Sequence, residues 1–89
     1  MKPYQIKILP TAQKELASLP KAIRVRIGKK VDSLQTNPNP QGAKLLKGKG
    51  REAYRVRVGD YRILYQIQRE ILTILVIKIG HRREVYRGL

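Results

Sequence analysis

The sequence predicts an α+β domain: a mostly antiparallel sheet of about four strands with two N-terminal helices packed on one of its faces. Three observations carry this. Apolar residues recur first at strand spacing, then at helical spacing through two segments, then at strand spacing through the last third of the chain. A Gly59-Asp60 dipeptide separates two alternating runs, as in a β-hairpin. The 89 residues contain no repeat, low-complexity tract or long linker, so residues 1–89 form one domain with a modest core.

Tyr4 to Leu9 alternates, with Tyr4, Ile6 and Ile8 on one side and Gln5 and Lys7 on the other, which predicts a first strand. Pro10 breaks it and suits the first turn of a helix. Ala12, Leu16 and Leu19 then predict a short helix over residues 11–19. Pro20 ends it and opens the next, whose stripe is Ile23, Ile27, Val31 and Leu34, with Lys21, Arg24, Lys29 and Asp32 elsewhere on its surface. Asn37-Pro38-Asn39-Pro40 stops this second helix. Residues 41–50, with Gly42, Gly48 and Gly50 among Lys44, Lys47 and Lys49, read as a basic, mobile loop. The hairpin pairs Ala53 to Val58 with Tyr61 to Gln68. A last strand, Ile71 to Ile79, is apolar on both faces for most of its length and belongs inside the sheet. Gly80 closes it and a basic tail follows.

Charge narrows the function. Twenty Lys and Arg face six acids, a net charge of +14. Such an excess repels itself in the folded state, so a polyanionic partner explains it best, and nucleic acid comes first. The basic residues do not line one long amphipathic helix, and no apolar stretch approaches the ~20 residues of a membrane span, so no membrane association is expected. Residues 1–10 hold no apolar run of signal-peptide length, and there are no cysteines for disulfides or a thiolate metal site. These features fit a reducing cytoplasm.

The hairpin can be read in register. With Gly59 and Asp60 as its loop, Tyr54, Val56, Val58, Tyr61, Ile63 and Tyr65 form an apolar face for the helices. The other face carries Arg55, Arg57 and Arg62, with Arg57 directly opposite Arg62. Like charges across a strand pair destabilise by up to ~1 kcal/mol. A phosphate held between two guanidinium forks offsets that cost; the alternative is an ordinary solvated sheet face. Beyond the last strand, Gly80-His81-Arg82-Arg83-Glu84-Val85-Tyr86 sets the only histidine beside two arginines and shortly before a tyrosine. Arginine stabilises charge on a phosphorane-like transition state, histidine moves protons near neutral pH, and tyrosine stacks on a base. Together they suit the cutting of RNA by its own 2′-hydroxyl. That reaction needs no metal, and the sequence offers no carboxylate cluster to hold one.

In these residues the chain resembles the RelE branch of the RelE/ParE toxin superfamily. The resemblance runs from the strand-Pro-helix opening of Ile6 to Leu19, through Lys44-Leu45-Leu46-Lys47-Gly48 and the hairpin Tyr54 to Tyr65, to Gly80-His81-Arg82-Arg83 and Tyr86. It implies a ribosome-dependent endoribonuclease that cleaves mRNA in the decoding site, needs no cofactor, and is neutralised by a cognate acidic antitoxin wrapped over its basic surface. It implies catalytic roles for Arg57, Arg62, Arg82 and Tyr86, with Arg62 on the phosphate, Arg82 near the leaving group and Tyr86 orienting the substrate. Lys44, Lys47, Lys49, Arg55 and Arg83 are expected to bind RNA. Related enzymes carry lysines where this chain has Arg55 and Arg57. Arginine is a poor base, so His81 is expected to share the proton transfer. Two other readings remain at this point: a ParE-like toxin acting on DNA gyrase, and a non-catalytic RNA-binding module of the ribosome.

Overall fold

The computed structural model describes residues 3–48 and 51–81. Chain order is β1 (Gln5–Ile8), α1 (Pro10–Ala17), α2 (Lys21–Ser33), β2 (Lys44–Gly48), β3 (Arg51–Val58), β4 (Tyr61–Gln68), a 3₁₀ turn (Arg69–Ile71) and β5 (Thr73–His81). The strands form one sheet in the order β1-β5-β4-β3-β2. All neighbours are antiparallel except β1 and β5, which run parallel. This is the expected α+β architecture, with a fifth strand added.

The helices begin where the prolines permit. Pro10 occupies the first turn of α1, where its missing N–H is no loss. Ala12 is fully buried, and Leu16 and Leu19 pack on the core. α2 buries Ile27, Val31 and Leu34 against the sheet, and Ile23 lies beside them. Each such aliphatic side chain contributes on the order of 2 kcal/mol when fully buried. α2 ends at Ser33, short of the Asn-Pro repeat, because the backbone there tightens: Leu34 N–H donates to the carbonyl of Val31 and Gln35 N–H to that of Asp32.

The hairpin register is the one read from the sequence: Val58 faces Tyr61, Arg57 faces Arg62, Val56 faces Ile63 and Tyr54 faces Tyr65. Val56, Val58, Ile63 and Tyr65 lie in the core under the helices. Tyr54 and Tyr65 stack at 5.8 Å, and the Tyr65 hydroxyl donates to the Pro38 carbonyl at 2.8 Å, which ties the segment after α2 to the sheet.

Residues 41–50 are not simply a loop. Lys44–Gly48 pairs with β3, Lys44 opposite Arg55 and Leu46 opposite Ala53. Its composition hid it: two lysines, two leucines and no β-branched residue make a weak strand pattern, while lysines are common on edge strands, where they deter further pairing.

β5 starts at Thr73 rather than Ile71, since Ile71 closes the 3₁₀ turn and Leu72 takes a left-handed conformation (φ 48°). The register of β4 with β5 slips once: Leu64 faces Lys78, but Tyr65 faces Val76. Ile77 is therefore an extra residue, a bulge. The bulge lets Ile74, Val76 and Ile79 all enter the core although Val76 and Ile79 are three apart.

Candidate nucleic-acid interface

Strand alternation puts Lys44 of β2, Arg55 and Arg57 of β3, and Arg62 of β4 on the face of the sheet opposite the helices. Register makes two like-charge pairs, Lys44 with Arg55 and Arg57 with Arg62. Following the ladders, no acidic residue occupies this face among the described residues of β2 to β5. The arginines differ in environment. Arg57 is exposed and Arg55 half-buried, while Arg62 is only 4% exposed. Arg62 Nη1 donates to the Tyr61 carbonyl at 3.4 Å. Leu64, beside it on the same face, is also buried. The result is a fixed guanidinium next to an accessible one, an arrangement suited to gripping an anion between a rigid and an adjustable fork.

His81 ends β5 and is exposed. It pairs across the ladder with Tyr61, and the two rings meet edge to face at 5.9 Å. Tyr61 packs against the core on the helix side, and Gly80 is the residue opposite Arg62. His81 thus stands on the other side of the sheet from Arg57 and Arg62, at its end. In the sequence His81 is expected beside the arginine face; strand alternation instead pairs it with Tyr61, on the face opposite Arg57 and Arg62.

Lys44 is exposed at the edge of the basic face. Lys47 belongs to β2, opposite Glu52. Lys49, Arg82, Arg83 and Tyr86 lie outside the described residues. Among the described residues, no group of three or more His, Asp or Glu side chains is placed to hold a metal ion.

Two basic residues escaped the sequence reading. Arg26 and Lys30 join Lys29 on the face of α2 that looks toward the β3–β4 turn, and with Arg57 they line an open groove of about 450 Å³. The helical spacing of Arg26, Lys29, Lys30 and Ser33 was the available sign. Its relation to the hairpin was not readable, because only the packing of α2 brings them together.

Comparison with known proteins gives these features a family. The model of the ParE toxin of type II toxin–antitoxin systems matches residues 6–86. A RelE-like toxin protein of Escherichia coli is 35% identical over 79 residues, covering 89% of this chain and 83% of its own. The toxin RelG of Mycobacterium tuberculosis is 30% identical, covering 96% and 98%. Among solved structures, the RelE–RelB complex of Pyrococcus horikoshii superposes with a TM-score of 0.78 at 35% identity, covering 89% of this chain and 94% of the matched one. The family model, the sequence identities and the superposition agree, and the chain belongs to the RelE/ParE family of toxins of type II toxin–antitoxin systems.

Proposed function

We propose that this toxin is a ribosome-dependent endoribonuclease that cleaves mRNA in the decoding site and so stops translation. The observation that carries the reading is the basic sheet face, with no acid on it among the described residues of β2 to β5 and with Arg57 opposite a buried Arg62. In the reaction, the 2′-oxygen of a nucleotide loses its proton and attacks the adjacent phosphorus. The bond from phosphorus to the 5′-oxygen breaks, leaving a cyclic 2′,3′-phosphate, and the 5′-oxygen takes up a proton. Charge grows on the non-bridging oxygens, where Arg57 and Arg62 act. Arg82 serves the leaving oxygen, Tyr86 stacks on or orients a base, and His81 moves a proton at the end of the sheet. Lys44, Lys47, Lys49, Arg55 and Arg83 bind the RNA backbone. The chemistry uses the RNA's own hydroxyl and calls for no cofactor. The toxin acts in the cytoplasm, where ribosomes are.

A cognate antitoxin is the second partner. Solved relatives include RelE bound to RelB, and an acidic segment of such a protein matches the net charge of +14. The test of function is expression of the chain alone, with mapping of mRNA ends on stalled ribosomes. Cuts within the decoding-site codon are expected, and they should vanish on co-expression of the antitoxin.

The match to the ParE toxin model favours a second reading, a ParE-like toxin, whose target on that reading is DNA gyrase. A supercoiling assay separates the two: gyrase inhibition without mRNA cleavage would replace the first reading with the second.

A further inference from the structure

The groove beside the β3–β4 hairpin has a structural cause. β2 pairs with β3 only as far as Arg55, so Val56 to Val58 have no strand neighbour on that side. α2 runs past this free edge and supplies Arg26, Lys29 and Lys30, while the hairpin supplies Arg57 and Gly59. The Arg26 guanidinium lies over Gly59, 3.6 Å from where a Cβ would sit. Four cations thus converge from two elements. None of the four forms an ion pair with a described residue. Spacing of three and four on one helix face sets Arg26 against Lys29 and Lys30, a like-charge arrangement that costs helix stability. The groove opens onto Arg57, which also belongs to the basic sheet face.

We infer that this groove is a second phosphate-binding track, which takes the sugar-phosphate backbone of an RNA strand as it leaves the arginine face of the sheet. The inference rests on the ribonuclease reading only for the identity of the nucleic acid. The lining favours a backbone over a protein partner. Protein interfaces draw affinity from apolar and aromatic anchors, and here Val58 is the only hydrophobic side chain among the described lining residues, itself buried. Nucleic-acid backbones draw affinity from cations that displace condensed counterions. Arg57 makes the two surfaces continuous, so one strand can pass from the sheet face, around the free edge of β3, to α2.

The experiment measures binding of the full toxin to a short, non-cleavable 2′-O-methyl RNA across about 50 to 300 mM KCl. One variant combines Arg26→Gln, Lys29→Gln and Lys30→Gln. The control combines Lys7→Gln, Lys14→Gln and Lys21→Gln, exposed positions that remove the same charge elsewhere. The groove variant is expected to bind at least about tenfold more weakly at low salt, and its log–log salt slope should be shallower by about two units, near 0.7 per lost phosphate contact. The control should change both much less. Lys29→Glu alone, at an exposed position, should weaken binding in the same direction, which guards against a poorly folded triple variant. Equal losses in the two triples would reduce the effect to net charge and overturn the inference. So would unchanged RNA binding in the groove variant, or a loss seen with polyglutamate but not with RNA. Because binding is read without ribosomes, the groove can stand even if the wild-type chain fails to cleave mRNA.

Discussion

Glu15 of α1 accepts a hydrogen bond at 3.1 Å from the backbone N–H of Ile79 in β5. The bond answers a local need. β1 accompanies β5 only to Val76, where Ile8 is its partner, so the later part of β5 has an unpartnered edge that α1 covers. The second carboxylate oxygen lies 4.0 Å from Lys78 Nζ. Ile79 is two residues from His81, so this contact fixes the end of the strand from which the tail departs.

Glu15→Ala should lower stability by about 1 to 2 kcal/mol, the cost of leaving a partly buried amide without its acceptor. Glu15→Gln keeps an acceptor oxygen and should cost less than half of that. Amide hydrogen exchange provides the local readout. Exchange at Ile79 should accelerate in Glu15→Ala and stay slow in Glu15→Gln; equal rates in both would assign the contact no role.

Arg62 permits a separation of chemistry from stability. Arg62→Ala removes a buried side chain and the packing of its aliphatic stem, so it should destabilise by roughly 1 to 2 kcal/mol. Arg62→Met fills the same space without burying a charge opposite Arg57, and its thermal midpoint should hold or rise. If the proposed mechanism holds, both should cut mRNA at least about a hundredfold more slowly in single-turnover assays, since each removes a charged donor that the mechanism assigns to the transition state. A folded Arg62→Met variant with wild-type cleavage would take Arg62 out of the chemistry.

Tyr65 links stability to pH. Burial, reinforced by neighbouring Tyr54, pushes its phenol up to about 12 from the ordinary 10.0. The folded form therefore holds the proton more tightly than the unfolded chain does. The associated stability is fully present below pH 10 and is lost as pH rises from 10 toward 12, by an amount on the order of 2 kcal/mol. Tyr65→Phe should be about 1 kcal/mol less stable at neutral pH, having lost the bond to Pro38. Its deficit should shrink and then reverse between pH 10 and 12, because the variant has no phenol to titrate while the wild type loses more than the deficit. Urea unfolding of both proteins across that range checks it; a constant difference would contradict the account.

Much of this was legible because it is local. The Gly59-Asp60 turn and its alternating flanks specify one register, and with it the facing arginines. The stripe of Ile27, Val31 and Leu34 specifies the buried side of α2. What escaped depends on packing. β2 is a strand because β3 offers it an edge, not because Lys44–Gly48 favours extension. The bulge at Ile77 could not be read from Ile74 to Ile77, four apolar residues in a row with no alternation to mark a face. The sequence suggests that His81 joins the arginine face of the hairpin, but strand parity pairs it with Tyr61, on the face opposite Arg57 and Arg62. The groove between α2 and the hairpin needed the tertiary structure as well.

That placement of His81 sharpens the last prediction. Arginine is too basic to accept a proton efficiently, so in the proposed reaction the 2′-hydroxyl needs another acceptor. His81 is exposed and held edge-on by Tyr61, at the end of the sheet rather than on its basic face. To reach the reacting nucleotide from there, it must act on RNA that rounds the end of β4 and β5 near Gly80, which faces Arg62. Its geometry is less direct than that of Arg62, so its loss should cost less. His81→Ala is expected to slow single-turnover cleavage by about tenfold, at or below the lower limit for a positioned acid–base group. Ribosome binding should change little, because an imidazole adds little to the many phosphate contacts of the lysines and arginines. Tyr61→Leu removes the ring that orients His81 and should reproduce part of the rate loss without altering the shape of the pH–rate profile. His81→Ala should change the shape of the profile itself, as expected of a residue that carries a proton in the reaction. If His81→Ala matches wild type in both rate and profile, the proton transfer belongs to the residues beyond β5.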